Sequence, residues 1–218
     1  MTPAIPTTRR RMVDLVGDAA GAYVTKLQQS YLADRSAAVA TLAQLRRGAG
    51  KLPADVPELW GMTGTEQLYA DGPLSDTEAD RAEAALFLAV TLYASHQQSR
   101  SDRGMHHAGV ELGAAVRRLM PGGIDEPIRR RFVRAGTSDT RAALADRLRE
   151  IVSLLRRESI PLDYALLARQ LYQAQFPEGL RQVRQSWGRS FHAYRPDTTG
   201  ADSSPALSGD VPSVNKDN

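Results

Sequence analysis

The sequence predicts an all-α protein of two small helical parts, the second of them a helical bundle followed by a disordered tail. Ala, Leu and Arg dominate its 218 residues, whereas aromatic residues make up only 6%, and strands favour aromatic and β-branched side chains. Apolar residues recur three and four positions apart in successive segments, which is the period of a helix. Proline, glycine and capping residues separate these segments. Hydrophobic residues reach 42%, enough for a folded core.

Composition divides the chain into four regions. We expect a flexible leader over residues 1–8 and an N-terminal helical part over 9–120. A C-terminal helical bundle follows over 121–195, beginning at a Pro-Gly-Gly break. Residues 196–218 are rich in Asp, Ser, Thr, Gly and Pro, and we expect this tail to be disordered.

Apolar stripes define the first two helices. The first runs from about Arg9 to Tyr31. The second follows Asp34, whose side chain can cap its first turn, and ends at Gly48, a residue type that often follows a helix.

An irregular segment over 51–73 follows these helices. It carries several prolines and glycines, and its one apolar pair, Leu59-Trp60, is expected to cover the core. The sequence Ser75-Asp76-Thr77-Glu78 is typical of a capping box that starts a helix. This helix is the most apolar of the chain, so we expect it at the centre of a group of packed helices, ending near His96 before a polar loop over 99–109.

The remaining helices have their own start signals. We expect them over 110–119, over 127–134, up to about residue 157, from 163 and from 177. In the second of these, Ile128, Phe132 and Val133 are predicted to point inward. Thr137 or Ser138 is predicted to cap the third.

The charges are unevenly distributed. Residues 51–83 hold eight acids against two basic residues, a net charge of −6, whereas residues 117–195 hold sixteen arginines and eight acids, a net charge of +8. Of the 28 basic residues in the chain, 25 are Arg, which binds phosphate with a bidentate fork. High-GC coding bias explains the preference for Arg equally well, but not its clustering. The asymmetry therefore indicates a polyanionic partner for the basic region.

Two arginine clusters are candidate phosphate contacts. Arg46 and Arg47 end a helix, where cations also complement the helix dipole by ~0.3–1 kcal/mol each. Arg130, Arg131 and Arg134 lie close together on one helix, and their mutual repulsion is what a bound polyanion would relieve.

Two other arginines admit an ordinary explanation. Arg149 lies among acids that can pair with it, which would make this helix an ordinary solvated surface. Arg100 lies in a polar loop that we expect to be flexible, where solvation explains it equally well.

Catalysis is not expected. The sequence lacks a glycine-rich phosphate loop, a GxSxG motif and an HExxH motif, and it has no cysteine for thiolate chemistry or Cys-based zinc sites. His106 and His107 could join Asp102 or Glu111 at a metal, but adjacent residues on a helix diverge by about 100°. We therefore predict no enzyme, no metal and no cofactor. The lack of cysteine fits the cytoplasm, and no apolar run reaches the ~20 residues of a membrane span.

Five motifs, taken in order, are similar to those of a known family. They are Leu42-Ala43-Gln44-Leu45-Arg46-Arg47; the helix end His96-Gln97; Leu112-Gly113; Arg130-Arg131-Phe132-Val133-Arg134-Ala135; and Ile160-Pro161-Leu162-Asp163-Tyr164 followed by Leu167-Ala168-Arg169 and the helix with Trp187 and Phe191. The set resembles the CasB family, the small subunit of the type I-E CRISPR Cascade complex. The resemblance covers about residues 20–194 and departs from the family in the leader, the tail and a longer 96–109 loop.

The resemblance implies an all-α, non-catalytic protein that works inside a crRNA-guided complex. Its implied partners are crRNA, target and non-target DNA, other Cascade subunits and a second copy of itself, with no membrane. Basic surfaces of the family help to hold the crRNA–target duplex and the displaced strand. The matching positions in this sequence are Arg46, Arg47, Arg100, Arg131, Arg134 and Arg149, with Arg130 and Arg169 as additional candidates.

Two other functions fit the residues without the resemblance. A helix-turn-helix regulator would use 127–134 as its recognition helix, although the Pro-Gly-Gly break before it fits poorly. A helical protein–protein adaptor would need no nucleic acid, and its arginines would reflect coding bias.

Overall fold

The computed structural model describes residues 7–70 and 72–194, and for residues 7–11 only the backbone. The described part folds into helices, which are α1 Thr7–Leu32, α2 Ser36–Leu45, α3 Asp76–Gln97, α4 Leu112–Arg118, α5 Glu126–Gly136, α6 Arg141–Arg157, α7 Tyr164–Gln173 and α8 Pro177–Ala193. It contains no strand, and His106 and Leu162 form one isolated bridge. The all-α prediction is confirmed. The predicted tail and most of the predicted leader lie outside the described residues, and α1 begins two residues earlier than expected.

α3 lies at the centre, as its apolar sequence predicts. Nearly every residue in its last four turns is buried, because α1, α2, α6 and α7 all pack around it. Ser75 caps its start by accepting a hydrogen bond from the amide of Glu78, and the Ser75 hydroxyl bonds the Glu78 carboxylate. No helix in the described part is long and apolar enough to cross a membrane.

α4 and α8 cross at very close range. A side chain at Gly113 on α4 would clash with the carbonyl oxygen of Trp187 and lie 2.6 Å from the amide nitrogen of Phe191. Only glycine allows the two backbones to approach so closely. The pair Leu112-Gly113 is therefore a packing feature that joins the middle of the chain to its last helix.

Segment 51–73 contains three short 3₁₀ turns, Pro53–Asp55, Pro57–Leu59 and Thr65–Tyr69. The prediction that Leu59 and Trp60 together cover the core is half wrong. Leu59 is buried at 1% exposure, whereas Trp60 is 68% exposed. The turn ends at Leu59, so the next side chain points away from the core.

Predictions of helix ends were wrong at three places. Asp34 has a left-handed backbone (φ 53°) and does not cap α2, whose first residue follows Arg35. Gly48 lies in a 3₁₀ turn, and the left-handed glycine that ends this region is Gly50 (φ 82°). Thr140 caps α6 by accepting from the amide of Ala143. All these residue types suit caps, and tertiary contacts decide which of them is used.

Val133 was also predicted wrongly. It is 47% exposed, because α5 rests on the protein only through a narrow stripe that contains Ile128, Phe132 and Ala135.

The loop over 99–109 is fixed by hydrogen bonds, against the expectation of flexibility. The side chain of Gln97 accepts from the amide of Met105 and donates to the carbonyl oxygens of Arg100 and Arg103. Gln28 on α1 pairs with both backbone groups of His106. The side chains of buried Gln97 and half-buried Gln28 thus satisfy backbone groups of this loop that no secondary structure pairs.

Candidate nucleic-acid interface

α5 is a short helix that presents arginines to solvent. Its N-terminus is capped by Asp125, which accepts from the amide of Ile128 at 2.9 Å. On the inner face Phe132 stacks on Phe191 of α8, with ring centroids 5.4 Å apart. Arg130, Arg131 and Arg134 are exposed on the rest of the helix.

These three residues, hereafter the α5 arginines, have no ion pair within the described part of the chain. Glu126, one turn before Arg130 on the same helix, is already bound by Arg129 through two hydrogen bonds of 2.7 and 2.8 Å. This guanidinium lowers the pKa of Glu126. The α5 arginines are consequently exposed to solvent without an acidic partner among the described residues.

Two arginines from other helices fix the C-terminal end of α5. Arg147 of α6 donates to the carbonyl oxygen of Arg134 at 2.6 Å and to the Ser138 hydroxyl at 3.3 Å. Arg184 of α8 donates to the carbonyl oxygen of Gly136. Cations at a helix C-terminus satisfy the last carbonyls and its negative dipole end. Sequence reasoning missed both residues, because nothing near them in the chain marks the helix end they reach.

A second group forms around the turn after α2. Arg46 and Arg47 begin the 3₁₀ turn Arg46–Gly48, and their side chains make no ion pair or hydrogen bond with the described residues. A Cβ at Gly50 would lie 2.8 Å from Cδ of Arg149, so the Arg149 side chain runs directly over this turn. Arg149 also contacts Asp146 at 3.4 Å, an exposed pair of the kind that contributes little. Arg46, Arg47 and Arg149 are hereafter the turn arginines.

α6 connects the two groups. Arg149 reaches the turn after α2, whereas Arg147 reaches α5. Residues two apart are separated by about 200° around a helix, so the two groups flank α6 on different sides. The structure thus brings Arg149 to Arg46 and Arg47, which are about a hundred positions away in sequence, and keeps the α5 arginines as a separate group.

Arg100 and Arg169 have internal partners. Arg100 donates to the carbonyl oxygens of Arg156 (3.1 and 2.7 Å) and Arg157 (3.0 Å), at the C-terminal end of α6. Arg169 crosses α1 at Gly17 and pairs with Asp18 at 2.6 Å and with Asp14 at 4.0 Å. Arg100 thus ties its loop to the end of α6, and Arg169 ties α7 to α1, so both charges are engaged within the fold.

One histidine, His96, lies in the core and serves the fold. His96 is buried and shares a hydrogen bond of 2.9 Å with the Tyr164 hydroxyl. Burial lowers the pKa of His96 to about 3, and the charges of Arg156 and Arg100 act in the same direction. Between residues 7 and 194, leaving out 71, no three His, Asp or Glu side chains are grouped to hold a metal ion.

The family model described as CRISPR-associated protein Cse2 matches residues 41–192. The chain belongs to the Cse2 family. All eight arginines that the sequence singled out lie within the matched range. The predicted resemblance to CasB is confirmed by the solved structures that share this fold.

A crystal structure of CasB from Thermobifida fusca is 54% identical in sequence and covers 82% of this chain and 98% of that chain, with a TM-score of 0.75. A Cse2-family protein from Thermus thermophilus is 25% identical, covers 81% of this chain and 97% of its own, and has a TM-score of 0.58. A chain of a CRISPR RNA-guided surveillance complex has the same fold at 20% identity, covering 81% and 95%, with a TM-score of 0.58. No curated protein matches the sequence.

Proposed function

We propose that this Cse2-family chain is a non-catalytic subunit of a crRNA-guided CRISPR complex and holds nucleic-acid backbone through the α5 arginines and the turn arginines. Its partners are then crRNA, target and non-target DNA, other subunits of the complex and a second copy of itself. The proposal rests on a difference between two sets of arginines in their contacts within the fold. Several of them satisfy helix ends or acids of the fold, whereas these six leave their charge largely unused.

The chemistry of these two groups suits a sequence-independent role. Opening a DNA duplex along a guide RNA is a nearly balanced exchange of base pairs, so contacts to the backbone can decide its outcome. Exposed guanidinium groups bind phosphate bidentately without reading bases. Neither group includes an aromatic residue on which bases would stack, which favours electrostatic tracking of a strand.

A helix-turn-helix regulator is a poorer fit. That motif joins its two helices by a turn of three or four residues. Here α4 ends at Arg118 and α5 begins at Glu126, so seven residues separate them. In a helix-turn-helix the first helix crosses the DNA backbone and packs against the recognition helix. Here the preceding helix, α4, does not pack closely against α5.

To test the proposal, the crRNA-guided complex is reconstituted with this subunit, and the fraction of target duplex that it opens is measured. The displaced strand carries 2-aminopurine, whose fluorescence reports unstacking. We expect Arg131→Gln/Arg134→Gln and Arg46→Gln/Arg47→Gln each to reduce the stable opened fraction. The matched control is Arg157→Gln/Arg189→Gln, which removes two exposed charges that lie outside both groups and have no ion pair among the described residues.

Equal losses in all three variants would show that net charge alone matters and would refute the two defined groups. Full opening with both group variants, each present in the complex at normal amounts, would refute the proposed role altogether.

A further inference from the structure

The acidic segment over 51–83 carries one exposed tryptophan in a fixed position. Trp60 is 68% exposed, more than any other large hydrophobic residue of the described chain. Its indole N–H donates to the carbonyl oxygen of Pro53 at 3.2 Å, which holds the ring. Exposed aromatic residues with restricted freedom are typical anchors of protein–protein interfaces.

A small cavity opens beside this ring. Its volume is about 280 Å³, and Trp60 forms part of its wall. Leu59 and Phe87, both nearly fully buried, supply apolar surface, while Thr63 and Glu83 supply polar groups. The cavity therefore has an aromatic wall, an apolar lining and a carboxylate.

The carboxylate of Glu83 is oriented but not neutralised. One of its oxygens accepts from the hydroxyl of Tyr69, and this bond raises the pKa of Tyr69 to about 12. No basic side chain pairs with Glu83 in the described residues. Glu58 and Glu66, close to the cavity in sequence, have no ion pair there either, and residues 51–83 carry a net charge of −6.

We propose that Trp60 and Glu83 form a docking site for an arginine or lysine side chain of a partner protein. The cation would lie over the indole ring, its alkyl stem would contact Leu59 and Phe87, and its charge would meet the free oxygen of Glu83. Cations stack favourably on tryptophan and bind carboxylates more strongly in partly dry sites. The carboxylates of Glu58, Glu66 and Glu83 have no basic partner among the described residues and disfavour a phosphate, which argues for a basic protein segment rather than a nucleic-acid strand. The Arg46–Gly48 turn packs behind Leu59 and Phe87, but the proposal uses neither of its arginines.

The full chain reports on this site through its own fluorescence. It has two tryptophans, and Trp187 is only 4% exposed, so Trp60→Phe leaves the buried ring as a background signal. The probe is an acetylated hexa-arginine peptide, and its neutral counterpart is hexa-citrulline. Calorimetry measures affinity for variants that lack Trp60, and far-UV circular dichroism checks that each variant folds.

We expect hexa-arginine to produce a saturable change in Trp60 emission and hexa-citrulline to produce none. Glu83→Gln and Trp60→Ala should each weaken affinity by about fivefold or more. Tyr69→Phe keeps the carboxylate and should bind nearly as well as wild type. The matched acid control, Glu158→Gln, changes an exposed, unpaired carboxylate elsewhere and should bind as wild type does.

Three results would overturn the proposal. An equal loss in Glu158→Gln would mean that the peptide responds to overall charge. A Trp60 response to single-stranded DNA in place of the peptide would assign the site to nucleic acid. A shift of Trp60 emission with protein concentration alone, without a peptide response, would assign it to a second copy of this chain.

Discussion

Arg147 donates a hydrogen bond of 2.6 Å to the backbone carbonyl oxygen of Arg134, so one arginine ends the helix that presents another. Arg147 lies on α6 and places its charge at the C-terminal end of α5. Arg134 directs its own guanidinium to solvent. The two residues represent two classes of arginine: those whose side chains stabilise the fold and those whose side chains are exposed and available for binding.

The first prediction compares two arginines with these different roles. Arg147→Ala should lower the free energy of unfolding by about 1–2 kcal/mol, because the end of α5 and the Ser138 hydroxyl lose a charged donor. Arg131→Ala should change it by less than about 0.5 kcal/mol, since that side chain is exposed and unpaired. Urea unfolding followed by circular dichroism measures both. Equal stabilities would contradict the division between the two classes.

The second prediction concerns the crossing of α4 and α8. Gly113→Ala should destabilise the protein by about 2 kcal/mol or more, because the new methyl group meets the backbone of Trp187 and Phe191. Gly188→Ala is the matched control within α8. A Cβ there meets no atom within 4 Å, so the better helix propensity of alanine should stabilise by about 0.5–1 kcal/mol.

Urea midpoints of these two glycine variants should therefore move in opposite directions. A Gly113→Ala protein as stable as wild type would show that the two helices do not approach as closely as described.

The third prediction is a pH dependence of stability. Burial lowers the pKa of His96 to about 3, whereas an unfolded histidine has a pKa of about 6.5. Between these values the unfolded chain binds a proton that the folded chain does not. The free energy of unfolding should consequently fall as pH is lowered from about 6.5 towards 3, by up to about 1.4 kcal/mol per pH unit from this residue.

His96→Gln should make that dependence shallower by up to one proton. The exposed His107→Gln is its control and should leave the slope as it is in wild type. An unchanged slope in His96→Gln would mean that His96 is not held neutral in the folded protein.

The helices could be predicted because their signals are local. The apolar residues of α3 and its Ser75 cap lie within one segment, and the structure has both as expected, although Glu78 accepts from the Ser75 hydroxyl and not from its amide. The cap of α6 could not be predicted, because Thr137, Ser138 and Thr140 are chemically alike. The Ser138 hydroxyl donates to the carbonyl oxygen of Arg134 and accepts from Arg147, so it does not cap α6.

The candidate interface depends on longer-range facts. The carbonyl oxygens at the end of α6 that Arg100 binds lie 56 and 57 positions away in sequence. Arg169 pairs with Asp18, 151 positions away. No pattern in sequence separates such arginines from Arg131, which has no internal partner among the described residues. Their number and clustering were visible in the sequence, whereas their division into two roles required the fold.

Binding of a labelled single-stranded DNA across a salt series tests the central claim most directly. On single-stranded DNA each phosphate contact contributes about 0.7 to the slope of log affinity against log salt. We predict that wild type loses affinity steeply as salt rises and that Arg131→Ala/Arg134→Ala flattens the slope by about 1.4, the share of two phosphate contacts. A double variant with the wild-type slope would contradict the claim that these exposed arginines hold nucleic-acid backbone.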